Sequence, residues 1–505
     1  MDKIIEAFQG GSLQIDFIEL VLVQNRATDP IEYRGTGYIR QTETEGLTLQ
    51  LYSVETKNND FMRDLNSVSR VVSGTLYKDA DYFTLTGRTL DGSVWTAKNI
   101  LPHGNWHADH PNPIVHASIG HCERGERSNT ASGMRLHYFD KADIPCLVNQ
   151  ANFVACGFDF EIKKAENSFT IQVKSKVPLP DHIEVKIEES IRFLLAKTVS
   201  VRVIEGPNRH LQLYSRYPSS HRTYLPPPIS RGVPAFNRHS WQLFEAYLAF
   251  VLPDASAYWH TCSNHLHNAC EASANALDAW AIGLGVAVEG LAGLLPKELD
   301  PTLKTKLEAL RDFVNAQVTG NEDHSEFASR IGGMMNGLTT IRAVDRMNAL
   351  AANGGTLPAL VKDWTALRNR GVHPTKSGVD PSQIDHQKLV DQVHQVTALM
   401  YHIVFALIGY KGPCTNYAEH GFPERAYPPE PLKTAETTSA TSPALPASPA
   451  APAKTKAPAK SGKTSPKGPR VTPKPRATAA KRSRGSSAKK SKAKTVKARK
   501  RKNDD

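Results

Sequence analysis

The segment Thr223–Pro234, TYLPPPISRGVP, is the point at which the character of the chain changes. Its four prolines disfavour a continuous helix or strand and predict a boundary between two kinds of sequence. Before it, short β-branched and aromatic runs predict strands, and after it apolar residues recur at helical spacing. The fold class predicted for the 505 residues is therefore α+β and multidomain, because a chain of this length can hold two or three cores.

Residues 1–222 are predicted to form a β-rich domain. Runs rich in β-branched and aromatic residues, several alternating apolar with polar, are IDFIELVLV, LTLQLYSV, SGTLYKDADYFTLTG, NFVACGFDFEI and NSFTIQVKSK. Asp-Gly, Gly-Gly and Asn-Pro pairs between such runs indicate turns. One helix is expected near the end of this domain, in HIEVKIEESIRFLLAKT, with one apolar face formed by Ile187, Ile191, Leu194 and Leu195.

Residues 236–412, after a Pro-rich linker at 223–235, predict an all-α bundle of about six helices, one of them over Ala269–Leu295. The last helix is well marked, because Asp380 and Gln383 can form a capping box at its start and Gly409 can end it.

One stretch of this bundle is apolar enough to be considered as a membrane span. Ala279–Leu295, AWAIGLGVAVEGLAGLL, is at the short limit for a span, is rich in glycine and contains Glu289. A buried helix is therefore favoured, and no membrane partner is expected.

The charge is divided unevenly along the chain. Residues 431–505 carry 21 Lys/Arg and 3 Asp/Glu, a net +18, so the other 430 residues carry −6 of the total +12. This tail contains no aromatic residue, which predicts disorder, and its composition resembles the carboxy-terminal tails of linker histones. Such a tail favours nucleic-acid binding by phosphate neutralisation, although a solubilising linker is the alternative.

Cysteine usage and the first residues indicate the compartment. The six cysteines form no CxxC pair, as in reduced cytosolic proteins, and MDKIIEAFQGG lacks the apolar region of a secretory signal. A cytoplasmic protein is predicted, and the basic tail suits association with the nucleoid.

The candidate active site is the stretch Leu367–Pro374, LRNRGVHP. Leu357, Leu360, Val361, Trp364 and Leu367 recur at helical spacing, and Arg368 borders this apolar stripe. Pro374 disfavours helical geometry at His373, so the helix is expected to end there.

Arg-Asn-x3-His at the end of a helix, late in an all-α bundle, resembles the signature of the HEPN superfamily. The layout of a β-rich region followed by this bundle resembles its ApeA-type branch, over residues 1–412. That resemblance implies a metal-independent endoribonuclease without cofactors. Its catalytic residues would be Arg368, His373 and Asn369, and Arg370 is a candidate RNA contact whose alternative is a solvated cation.

The resemblance also implies a homodimer in which both copies contribute to one cleft. It further implies an anti-phage or abortive-infection role, with the β-rich domain as sensor of a phage-derived activator and RNA, with tRNA among the candidates, as the substrate. The chemistry agrees, because histidine titrates near neutral pH and arginine offers a planar fork to phosphate oxygens. Five helical positions separate Arg368 from His373 by ~140°, which favours a site completed by a second copy.

Two histidine-dense stretches are weaker candidates. WHTCSNHLHNAC offers ligand-type residues at a spacing that fits no standard zinc pattern, so ordinary helix positions are favoured: His260, Cys262, His265, His267 and Cys270. HGNWHADHP is a predicted loop in which solvated histidines are favoured over a metal site: His103, His107, Asp109 and His110. The main alternative to a nuclease is a non-catalytic scaffold that dimerises through the bundle and binds DNA or RNA by its tail.

Overall fold

A computed structural model describes residues 3–42, 46–58, 74, 76–105, 112–126, 130–215, 223–296, 301–319, 330–334, 337, 340–372 and 386–429. Within these residues the first half contains, besides a 3₁₀ turn at Asp79–Asp81, the following helix and strands: α1 (Lys3–Gln9), β1 (Gln14–Gln24), β2 (Glu32–Thr42), β3 (Gly46–Lys57), β4 (Phe83–Thr89), β5 (Val94–Ile100), β6 (His103–Asn105), β7 (Ile114–Ile119), β8 (His121–Arg124), β9 (Gly133–Tyr138), β10 (Gln150–Ala155), β11 (Phe158–Lys164) and β12 (Phe169–Lys174). The remainder is mostly helical: α2 (Ile183–Leu195), β13 (Val201–Glu205), β14 (Leu211–Tyr214), α3 (Ala235–Val251), α4 (Thr261–Ala272), α5 (Leu277–Leu294), α6 (Pro301–Thr319), α7 (Ala343–Ala352), α8 (Pro358–Val372), α9 (His386–Leu407), β15 (Gly412–Thr415) and β16 (Glu424–Tyr427).

The predicted β-rich first half and helical second half are confirmed. Fourteen strands form one antiparallel sheet in the order β10-β11-β12-β9-β13-β14-β8-β5-β4-β1-β2-β3-β7-β6. Alternation explains the strands that the sequence predicted: in β3, Leu47, Leu49 and Leu51 are buried while their neighbours are not. The basic tail, 431–505, lies outside the described residues and stays a sequence prediction.

Several predicted segments have a different structure from the one expected. In SGTLYKDADYFTLTG, β4 begins only at Phe83, after a 3₁₀ turn at Asp79–Asp81. NFVACGFDFEI is a hairpin of β10 and β11, because Cys156 and Gly157 both have positive φ (51° and 80°), as a tight two-residue turn requires. The segment from Ala269 to Leu295, expected as one helix, is divided between two: α4 ends at Ala272 and α5 begins at Leu277. The proposed caps Asp380 and Gln383 lie outside the described residues.

Helix α5 contains the apolar stretch considered for a membrane span. By length and composition it is the one helix among the described residues that could cross a membrane. Eight of its residues are buried against neighbouring helices, whereas Ile282 and Val286 remain 47% and 62% exposed. It is thus packed on one face and apolar on the other.

The Pro-rich segment 223–235 is packed against the helical bundle. The Tyr417 hydroxyl donates to the Pro227 carbonyl at 2.6 Å, and the Ser273 hydroxyl oxygen accepts from the Leu225 amide at 2.9 Å. The segment lies within a single apolar core that runs from Met134 in β9 to Tyr427 in β16. A second core fills the first half of the sheet, mostly from residues of β1–β5, β7 and α1.

Candidate functional site

Helix α8 carries the predicted Arg-Asn motif in its last two turns. Leu360, Val361, Trp364 and Leu367 are buried, as their spacing predicted, so this face is fixed against the bundle. The helix continues to Val372, and His373 lies outside the described residues.

The Arg368 guanidinium forms a two-point ion pair with Glu289 of α5. Its Nε donates to Glu289 Oε2 at 2.8 Å, and Nη2 donates to Glu289 Oε1 at 3.2 Å. The two side chains are 39% and 42% exposed, so the pair lies at the surface and contributes about 0.2–1 kcal/mol of stability. Of the five N–H donors of the guanidinium, this pair occupies two and leaves about three for another ligand.

Close packing of α5 against α8 places the Glu289 carboxylate next to the Arg368 guanidinium. The Trp364 indole Nε1 donates to the Gly285 carbonyl at 3.0 Å, and a Cβ at Gly285 would lie 4.0 Å from Arg368 Cα. Glu289 follows Gly285 by four residues and therefore shares its helix face. The Arg368 guanidinium also lies 6.0 Å from the centre of the Trp364 ring.

Asn369 and Arg370 are exposed beside Arg368 at the same helix end. A cation in the last turn is favoured by the partial negative charge of the helix carboxy terminus. Of the four predicted residues the structure describes three, which are consecutive in the chain: Arg368 is held at the α5 contact and the other two face solvent.

Glu289 was missed as a site residue. The only signal in the sequence was a carboxylate inside an apolar helix, which demands a polar partner. Next to it, separated by three and seven residues, are the exposed Val286 and Ile282 of the same helix. Leu310 and Phe313 of α6 are exposed as well, by 47% and 63%. Exposed apolar side chains grouped in this way are typical of contact surfaces.

The histidine-dense stretch 259–270 has structural roles. His260 caps α4, its Nδ1 accepting from the Cys262 amide at 3.1 Å, and the His265 ring occupies the space where a Cβ of Gly290 would lie. Burial lowers the pKa of His260, His265 and His267, and raises the pKa of the Cys262 thiol to about 12.

Among the described residues, no group of three or more His, Cys, Asp or Glu is arranged to hold a metal. In the other histidine-dense stretch, His103 begins β6, while His107, Asp109 and His110 lie outside the described residues.

A buried charge network on α2 was not predicted. Lys186 and Glu189 are each 1% exposed, and the Lys186 ammonium donates to Glu189 Oε1 at 3.3 Å and to the Tyr258 carbonyl at 3.1 Å. The other Glu189 oxygen accepts from the His260 amide at 2.9 Å and from the Ser263 hydroxyl. These bonds tie α2 to the start of α4, and every charge in the network has a partner, which suits a structural role.

Comparison of the chain with protein-family models, with curated proteins and with solved structures finds no match in any of the three. Its function is therefore inferred from its residues and its fold.

Proposed function

We propose that this protein is a metal-independent endoribonuclease of the HEPN type, with Arg368, Asn369 and His373 of two copies meeting in one site. The observation that carries the proposal is the Arg368–Glu289 pair. The Glu289 carboxylate orients the Arg368 guanidinium at the exposed carboxy-terminal end of α8. About three N–H donors of the guanidinium remain for phosphate oxygens.

The reaction needs only groups that this motif supplies. The 2′-hydroxyl attacks the adjacent phosphorus and loses its proton, and the bond from phosphorus to the 5′ oxygen breaks as that oxygen gains a proton. The products are a 2′,3′-cyclic phosphate and a 5′-hydroxyl. His373 is the proton-transfer group, because imidazole titrates near neutral pH. Arg368 stabilises the charge that develops on the phosphorane oxygens.

A second copy provides the remaining groups of the site. The apolar stripe of Ile282 and Val286 leads directly to Glu289 on the same helix, so a partner that covers it would approach the Arg368 pair. A two-fold contact there would place the ends of both α8 helices in one cleft.

The proposed setting is anti-phage defence. The β-rich half would recognise a phage-derived activator and release RNA cleavage, with tRNA among the candidate targets. The tail would hold the cytoplasmic enzyme on nucleic acid through phosphate contacts. These assignments rest on the family resemblance together with the composition of the tail.

The test is cleavage of end-labelled total RNA by purified protein in EDTA. We compare the wild type with Arg368→Ala and His373→Ala, and use Lys362→Ala, an exposed position on the same helix, as the matched control. Cyclic-phosphate fragments from the wild type and the control alone support the proposal. Equal cleavage by folded Arg368→Ala and His373→Ala proteins would refute it.

A non-catalytic nucleic-acid scaffold is the second candidate. The Arg368–Glu289 pair favours it in one respect, since a surface ion pair between two helices needs no catalytic explanation. Deletion of residues 431–505 separates the two functions. A scaffold would lose its RNA binding and the salt dependence of that binding, whereas a nuclease would keep its cleavage chemistry.

A further inference from the structure

Within the described part of the chain, strand β10 forms an end of the large sheet, and its edge lacks the usual protection. Its partner strand among the described residues is β11, with which all six residues are in regular register. Its sequence, QANFVA, contains no charged residue and no proline, and no bulge interrupts it. Natural sheets normally blunt their edges with such features, because an open edge can pair with another chain. The opposite end of the sheet, β6, is only three residues long.

The hydrogen bonds identify which backbone groups of β10 face outward. The Lys164 amide donates to the Asn149 carbonyl at 2.8 Å, so residues of odd number bond to β11. Gln150, Asn152 and Val154 therefore direct their amide and carbonyl groups away from the sheet. The Gln150 amide is already bonded, since it donates to the Leu147 carbonyl at 3.1 Å.

The outer side of this edge carries unusual apolar residues. Leu147, Val148 and Val154 are 72%, 97% and 63% exposed. Val148 also has a φ of 50°, in the left-handed region that β-branched residues avoid at a cost of about 1–2 kcal/mol. With Asn149 (φ 65°) it forms the tight turn that returns Leu147 onto Gln150, so the exposed apolar side chains, and not the strain, indicate a contact surface.

We propose that β10 pairs with β10 of a second copy, antiparallel about a two-fold axis at Phe153. In this register Asn152 lies opposite Val154 of the other copy, and the two positions exchange four backbone hydrogen bonds. Leu147 occupies the place opposite Gln150, which excludes registers centred nearer to that residue. The two Phe153 side chains meet on the inner face, where each already stacks on Trp241 at 4.3 Å.

A second copy is the occupant that the strand itself indicates. Two uncharged strands meet without like-charge repulsion, and identical six-residue edges match in length, whereas β6 is too short to pair with β10 along its length. A contact of β10 with itself is isologous, so each copy contributes the same strand to it.

Disulfide cross-linking tests the register directly. Opposite residues in such a pair have Cα atoms about 5.5 Å apart, which suits a disulfide. The full chain carrying both Asn152→Cys and Val154→Cys should run as a covalent dimer on a non-reducing gel after mild oxidation. Each single substitution, the wild type and Asp159→Cys, an exposed position one strand inward, should show no covalent dimer on the same gel.

Absence of the covalent dimer from the double variant, or an equal yield from Asp159→Cys, would overturn the proposal. A second measurement needs no cysteine: Val154→Lys should lower the mass found by sedimentation of the full chain, and an unchanged mass also counts against it. Neither result depends on ribonuclease activity. A protein that cross-links here and never cleaves RNA would refute the proposed function alone.

Discussion

Acidification should destabilise the bundle through one buried histidine. His402 of α9 is 7% exposed, and its Nδ1 lies 3.0 Å from the Thr356 hydroxyl oxygen. Burial lowers the pKa of this imidazole from its ordinary value of 6.5 to about 4, because the charged form would lose its hydration. The folded pKa lies below the unfolded one, so the stabilising effect is complete above pH 6.5 and is lost as the pH falls toward 4.

The size of the effect follows from the difference between the two pKa values. A shift of about 2.5 units corresponds to about 3.4 kcal/mol once the pH is below both values. At pH 5 the expected loss is about 2 kcal/mol relative to pH 8. This is a large part of the 5–15 kcal/mol that typically separates folded from unfolded domains.

The assay is urea unfolding, followed by circular dichroism at pH 8, 6 and 5. His402→Gln keeps a group able to bond to Thr356 but cannot be protonated in this range. Its free energy of unfolding should fall by about 2 kcal/mol less than that of the wild type between pH 8 and 5. The control is His386→Gln, an exposed position at the start of the same helix, which should follow the wild type. Parallel pH profiles for the wild type and His402→Gln would refute the reasoning.

Other substitutions test the site and its support. Glu289→Gln should cost under about 1 kcal/mol of stability and lower the RNA cleavage rate at least tenfold while RNA binding stays as tight or tightens; an unchanged rate would remove Glu289 from the site. Gly283→Ala should destabilise by about 1–3 kcal/mol in urea unfolding, because its Cβ would lie 2.3 Å from the Ala272 Cβ of α4, which cannot rotate away, whereas Gly293→Ala, with no atom within 4 Å, should not. Lys186→Met should cost about 3–5 kcal/mol by the same assay, against about 0.5 kcal/mol or less for the exposed Lys362→Met; equal losses would contradict the buried network.

Local periodicity was enough to predict the elements that bury one face. The alternation in β3, the apolar face of α2 and the end of α9 near Gly409, where φ is 65°, all follow from rules that act within a few residues. Strand β2 was missed because its residues EYRGTGYIRQT show little alternation. Its Gly35 is present for close approach, since a Cβ there would lie 1.9 Å from the Tyr52 carbonyl oxygen of β3.

The candidate site likewise has a part that the sequence predicts and a part that depends on tertiary packing. The helix that carries Arg368 and the buried stripe beside it could be predicted from spacing. The carboxylate that holds Arg368 is 79 residues away in the chain, and only the packing of α5 on α8 brings the two together. The α2 network joins Lys186 to groups around residue 260 for the same reason. Contacts of this kind depend on tertiary structure, which one sequence does not reveal.

The continuous core from β9 to β16 has a consequence for the evolution of such chains. Recombination at the Pro-rich segment would separate residues of α2 and β9–β12 from the helices that cover them, leaving apolar surface bare on both products. A crossover near residues 126–130 would instead separate the two cores, except that Val203, Leu211 and Leu213 of β13 and β14 belong to the core of the first half of the sheet. Recombination should therefore replace the first part of the sheet, up to β8, more readily than the whole β-rich half. The first part of the sheet would then vary while β9–β12 and the helices are inherited together.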